Sequence, residues 1–250
     1  IHFISQLFQP ISPKLKQNYH SGWSRSLSTN IAIKANGLAV MQIDPIQKHL
    51  TILSVPEDSY IDMPKGYGSW KIGNIYQLGQ EETPQIGAIL LRDAFNTLLG
   101  LPIDQVIVYD DQELTPQQLV EQWHGNRFSW FGISRQAETD FTPVDLINFV
   151  QSLNAIRLDK INYVDIGQND ITESRLLPDS TRVLGINRVQ LDLFVREKMQ
   201  DQQIVQEALN IAIFNATTHP GLAQEAARIV TNLGGNVIII RNSQTPQDQS

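Results

Sequence analysis

Apolar positions in the first half of the chain come in short runs rather than long stripes. Ile31, Ala32 and Ile33, then residues 38 to 43, are too short for buried helices and are separated by Asn36-Gly37. This predicts two strands meeting at a hairpin. Turn chemistry at Asp44-Pro45-Ile46-Gln47-Lys48 and a β-rich run from 49 to 55, stopped by Pro56, predict a third strand antiparallel to the second. After a loop marked by Pro64, Gly66 and Gly68, apolar residues return at helical spacing: Ile86, Leu90, Phe95, Leu98 and Leu99, with Gly100 as the stop. A strand follows at 103 to 109. Helices at 116 to 123 and 143 to 156 begin at prolines, where the missing N–H costs nothing. A strand at 161 to 166 and a helix at 189 to 199, with Leu191, Phe194 and Val195 inward, complete the pattern. Strands interleaved with helices predict an α/β layered domain over about 29 to 200.

The flanks differ. Residues 1 to 28 combine Phe3, Ile4, Leu7 and Phe8 with Pro10, Pro13 and small polar residues, the pattern of a stem or linker. Residues 206 to 245 predict a β-α-β unit: a strand at 209 to 215, a helix at 221 to 233 with Leu222, Ala226, Ile229 and Val230 on one face, and a strand at 237 to 240 after Gly234-Gly235. A unit this small cannot bury its own sheet, so it is expected to pack on the main domain or to continue beyond the chain end.

Composition narrows the chemistry. The 250 residues contain no cysteine, which removes disulfides, thiolate metal sites and a cysteine nucleophile. A net charge of -7 argues against a nucleic-acid partner. No apolar run reaches the roughly 18 residues of a spanning helix. Ile1 is not an initiator, so an export or anchoring segment is expected to precede it. His2, His20, His49, His124 and His219 lack ligand spacing.

Three segments carry a family pattern. They are Gly37-Leu-Ala-Val-Met-Gln-Ile-Asp44-Pro, Leu53-Ser-Val-Pro-Glu57-Asp58-Ser-Tyr60-Ile, and Lys71-Ile-Gly-Asn74-Ile-Tyr76, followed by Leu99-Gly-Leu-Pro-Ile-Asp104. In order, spacing and turn residues they resemble the LytR-CpsA-Psr domain, specifically over 30 to 110 and more weakly to about 200. Asn215-Ala-Thr217, Gly221-Leu-Ala223 and Leu233-Gly-Gly235 resemble the first half of the LytR C-terminal domain. The resemblance implies an α-β-α domain with a mixed sheet. It also implies a bacterial protein of the extracytoplasmic cell envelope, engaged in wall biogenesis and anchored to the cytoplasmic membrane through a segment outside this chain. Family members transfer glycopolymers from a polyprenyl-pyrophosphate carrier to the wall, usually with Mg²⁺.

That chemistry needs arginines on the pyrophosphate and a carboxylate near the metal or attacking hydroxyl. Here the family's Pro-Arg-Asp reads Pro56-Glu57-Asp58, a cation replaced by an anion. The Arg-Ser-Asp-Thr loop between the first two strands has shrunk to Lys34-Ala35-Asn36-Gly37, and the later arginine-rich segment is not recognisable. By family position the ligand-contacting residues are Lys34, Glu57, Asp58, Lys71 and Asn74, with Asp58 as the one metal candidate and no catalytic residue assigned. These departures imply a non-catalytic relative binding a polyprenyl-phosphate, a glycopolymer or an envelope protein, with no cofactor. Two alternatives stand beside it. One is an active Mg²⁺-dependent phosphotransferase whose cations are rebuilt from Lys34, Lys71 and Arg92 or Arg127. The other is an interaction module of a larger envelope assembly.

Plainer readings accompany each site. Asp58 caps a turn; Lys71 lies stacked on Trp70; Glu57 and Asp58, as adjacent strand residues, point to opposite faces and form no acid–base dyad. Trp123, Phe128, Trp130 and Phe131 pack in the core rather than line a lipid or sugar pocket. Asn215 and Thr217 cap a helix rather than bind an anion.

Overall fold

The computed structural model describes residues 7–18, 23, 26–63, 66–110, 113–168, 171–177 and 180–243. Phe3, Ile4, His2, His20, Pro64 and the tail beyond 243 lie outside the described residues. The strands are β1 (Thr29–Ala35), β2 (Gly37–Asp44), β3 (His49–Val55), β4 (Ser59–Met63), β5 (Gly68–Lys71), β6 (Gln105–Val108), β7 (Glu138–Thr139), β8 (Ile161–Asp165), β9 (Thr172–Leu176), β10 (Arg182–Ile186), β11 (Asn210–Asn215) and β12 (Asn236–Asn242). The helices are α1 (Ile75–Gln80), α2 (Gly87–Leu99), α3 (Pro116–Trp123), α4 (Ser129–Gln136), α5 (Pro143–Asn154), α6 (Arg188–Lys198), α7 (Gln202–Glu207) and α8 (Leu222–Asn232).

Six strands form a mixed sheet in the order β7-β6-β1-β2-β3-β8. β1, β2 and β3 run antiparallel, while β6 joins β1 and β8 joins β3 in parallel. Every residue of β1 is buried, because helices cover both faces. One core gathers Val40, Leu53, Leu91, Phe95 and Leu191 under α2 and α6. The other gathers Ile31, Met41, Ile52, Trp123 and Phe149 under α3 and α5. The result is the expected α-β-α layering.

Local signals set the helix ends. Thr115 closes a capping box with Gln118 at the start of α3, and Thr142 accepts the Asp145 N–H before α5, each followed by proline. Gly100 ends α2 in the left-handed conformation (φ 58°). A buried Arg92–Asp140 ion pair ties α2 to the sheet edge, where Asp140 Oδ1 also accepts the Val106 N–H at 2.8 Å. The stem is packed rather than free over its described part. Ile11 N–H donates to Phe141 O, Leu15 is buried, and the Trp23 ring lies edge-on to Phe149.

The segment read as a Gly/Pro loop contains β4 and β5, and these join β9 and β10 in a second sheet, β5-β4-β10-β9. The strands are short and largely exposed on one side, so period-two burial is weak in the sequence.

The C-terminal unit is a parallel β11–α8–β12 crossover. The predicted inward face of its helix is corrected: Ala223, Ala227 and Asn232 are buried, while Leu222 and Ile229 are 47% and 36% exposed. Small residues are needed there because α8 approaches α6 and the end of α2 closely. Arg228 and Asn232 hydrogen-bond Thr97 O, Leu98 O and Leu99 O.

Candidate functional site

Strands β1, β3, β6 and β8 all point their carboxyl ends to one edge of the main sheet, the edge where open α/β sheets gather ligands. Four of the five candidates cluster beside β3. Pro56 O accepts the Ser59 N–H at 3.0 Å, so Glu57 and Asp58 are the central residues of a β-turn joining β3 to β4. They are therefore not strand residues on opposite faces, which corrects the sequence reading. Gly73 N–H docks on Glu57 O at 3.0 Å. A Cβ at Gly73 would sit 2.8 Å from that of Glu57, so glycine permits the approach. This contact places Lys71 and Asn74 against the turn.

Lys71 Nζ lies 3.1 Å from Asp58 Oδ1. The lysine is thus paired with the candidate carboxylate, whereas the Trp70 indole N–H donates to Tyr67 O. Asn74 is exposed at the start of α1 and makes no side-chain cap. Lys34 stands apart. It is buried at the carboxyl end of β1, 3.6 Å from Asp110 Oδ1 and 5.0 Å over the Tyr76 ring. The pairings Lys34↔Leu38 and Leu38↔Val55 put two strand spacings, roughly 10 Å, between Lys34 and the end of β3.

Tyr76 and Asp110 were missed as partners. Tyr76 Oη donates to Glu138 Oε2 at 2.7 Å. Burial, followed by the Glu138 hydrogen bond, raises its phenol far above the ordinary range. An acid two residues past β6 is the legible signal for Asp110; Glu138 arrives only through the β6–β7 pairing. The shortened β1–β2 loop is a single residue, Asn36, held between paired Ala35 and Gly37. Its N–H and amide bond Leu114 O and Glu113 O.

The other proposed cations do not join this edge. Arg92 is committed to Asp140, and Arg127 is exposed beside Phe128 after α3. Glu57 and Asp58 are exposed, with the Asp58 side chain at 81%. Their repulsion of an anion is therefore water-screened, about 1 kcal/mol at 4 Å, and not the several kcal/mol of a dry site. What this edge lacks is an uncommitted cation among the assigned positions. Asp58 Oδ1, the candidate metal ligand, lies 3.1 Å from the Lys71 ammonium, and among the described residues no three His, Cys, Asp or Glu side chains converge.

The aromatic cluster divides. Trp123 is buried against Tyr109 and Phe149. Phe128 and Phe131 are 76% and 52% exposed, which corrects the expectation of core packing for those two. Phe131 and Trp130 border an apolar hollow of about 460 Å³ with Pro10, Ile11, Pro143 and Leu146. Asn215 and Thr217 do not cap α8, whose cap is Gly221. Asn215 Oδ1 instead accepts the Thr217 N–H and hydroxyl, building the turn before it.

Among solved structures, Bacillus subtilis TagV superposes with a TM-score of 0.52 at 13% identity, over 70% of this chain and 98% of that one. The structure of TagT bound to LI-WTA gives 0.50 at 12%, over 74% and 93%. The chain has the LytR-CpsA-Psr fold. TagT with bound octaprenyl pyrophosphate lipid, described as a LytR-CPS2A-psr family protein, superposes at 0.47 and 12% identity, over 73% and 92%. No protein-family model and no curated protein matches the sequence. Within the LytR-CpsA-Psr fold, then, the Glu57-Asp58 turn lies at the carboxyl edge of the sheet, and its neighbouring lysine is already paired.

Proposed function

We propose that this chain is a LytR-CpsA-Psr-like protein of the cell envelope that binds a polyprenyl-phosphate, a glycopolymer or a protein partner without transferring phosphate. One observation carries the reading. The turn at the family's arginine position presents Glu57 and Asp58 in place of a guanidinium, with Lys71 Nζ 3.1 Å from Asp58 Oδ1. Phosphoryl transfer depends on cations that neutralise charge developing on the phosphate oxygens. Lys34 and Arg92 are paired with Asp110 and Asp140, which disfavours the alternative of a Mg²⁺-dependent transferase rebuilt from those residues. Ligands of the kind named for the TagT structures, LI-WTA and octaprenyl pyrophosphate, motivate the binding classes. In this reading the protein works outside the cytoplasmic membrane, and the β11–α8–β12 unit is the first half of a LytR C-terminal domain.

The test is incubation of the full chain with a polyprenyl-pyrophosphate-linked glycan, acceptor wall and Mg²⁺. No transferred glycan is expected, and Glu57→Arg should tighten retention of the pyrophosphate lipid. Transfer by the natural sequence that disappears in Asp58→Ala would establish the transferase instead.

A further inference from the structure

A crevice runs between the second sheet, the last turn of α2, the first turn of α6 and α8. It has two lobes, of about 150 and 340 Å³, which share Asp62, Thr97 and Arg188. The larger lobe is within the size range of small-molecule sites. Neither lobe belongs to the turn discussed above.

The smaller lobe is lined by two arginines and one acid. Arg175 Nη2 donates to Asp62 Oδ1 at 3.0 Å. Asp62 is held below the ordinary carboxylate range, first by that bond, then by the Ser69 hydroxyl, with the charge of Arg188 adding to both. Two guanidiniums therefore face a single carboxylate. Glu173, the other acid near Arg175, bonds Asn187 Nδ2 at 2.9 Å. Arg188 is exposed and forms no ion pair among the described residues. Arg228, in the larger lobe, is spent on Asp192 and two carbonyls.

The remaining lining is amphipathic. Ile61, Leu98, Ile186 and Leu191 give an apolar floor, Tyr60 and Thr97 bring hydroxyl-bearing side chains, and Glu225 lines the larger lobe. A guanidinium pair suits a phosphate, since each presents a planar fork of donors. An apolar floor edged by hydroxyl groups and a carboxylate suits a body with C–H faces and hydroxyl edges. We propose that this crevice binds a phosphorylated saccharide, with its phosphate on Arg188 and Arg175 and its hydroxylated body extending toward Glu225. The inference is independent of the Glu57 reading, because the two guanidiniums that carry it, Arg175 and Arg188, belong neither to that turn nor to its assigned set.

The experiment is calorimetric titration of the full chain with glucose 1-phosphate, glucose and inorganic phosphate, and flotation with vesicles containing phosphatidylinositol. Glucose 1-phosphate should bind at least about tenfold more tightly than either fragment, and more weakly as salt rises. Arg188→Glu should abolish that binding with an unchanged melting temperature, since Arg188 is at the surface. Flotation lost in Arg188→Glu would also support the site and assign it to a lipid headgroup. The proposal fails if millimolar glucose 1-phosphate and the vesicles both go unbound, or if Arg188→Glu binds them as the natural chain does.

Discussion

Arg228 grips Asp192 with both Nε and Nη2: Nε lies 2.9 Å from each carboxylate oxygen and Nη2 lies 2.7 Å from Oδ1. The same guanidinium donates to Thr97 O and Leu98 O at 2.7 and 2.6 Å. One side chain of α8 thus closes the carbonyl end of α2 and pins α6. Gly100 leaves the room for it, since a Cβ there would lie 2.8 Å from Arg228 Cζ.

Arg228→Ala should therefore loosen the C-terminal unit. Asp192, whose side chain is only 16% exposed, loses its guanidinium and keeps the Asn232 amide, and α2 loses two carbonyl bonds. A cost of about 2–4 kcal/mol follows. Hydrogen exchange should speed up in β11 and β12 well before it does in β1 to β3. Unaltered exchange in those two strands would mean the unit is held by other contacts.

Stability should also report the Asp104 carboxyl, which accepts the Asn30 N–H at 2.8 Å. Burial pushes it up from 3.8 to about 6, so the folded chain holds this proton more tightly than the unfolded chain. Its contribution is complete below about pH 4 and is lost as pH rises through about 6, an effect on the order of 3 kcal/mol. Asp104→Asn keeps an acceptor for Asn30 and should flatten the chemical-denaturation midpoint between pH 4 and 7. An equally sloped profile in the variant would place the titration elsewhere.

Arg92 offers a discrimination between structure and chemistry. Its pairing with Asp140 is buried, with side chains 10% and 1% exposed. Removing the cation by Arg92→Ala should cost about 3–5 kcal/mol, because Asp140 is left charged in the interior. Arg92→Ala with Asp140→Asn should recover much of that loss in thermal unfolding. Full stability of the single variant would return Arg92 to the pool of cations available for ligand binding.

Much of the architecture was legible in the residues themselves. The hairpin of β1 and β2, the third strand, the proline-initiated helices α3 and α5, and the Gly100 stop depend on local rules: period-two or helical burial, capping hydroxyls and a left-handed glycine. The second sheet was not legible. β9 and β10 carry Arg, Glu and Ser on exposed faces, and the parallel pairing of β10 with β4 joins segments more than 120 residues apart. The inward face of α8 misled for a related reason, since its bulkiest apolar residues face outward while alanines meet the neighbouring helices.

The residues alone determined the order of elements, the absence of cysteine chemistry and the change of charge at Glu57, because each follows from residue type and near-neighbour spacing. Only the tertiary structure decided which charges are committed. Lys71 finds Asp58 through the docking of Gly73 on the turn, and Lys34 finds Asp110 because β1 and β6 lie side by side. It also decided that Arg175 and Arg188 share one crevice with Asp62, more than 100 residues earlier in the chain. An ion pair depends on distance in space, and that distance is set by sheet topology and core packing.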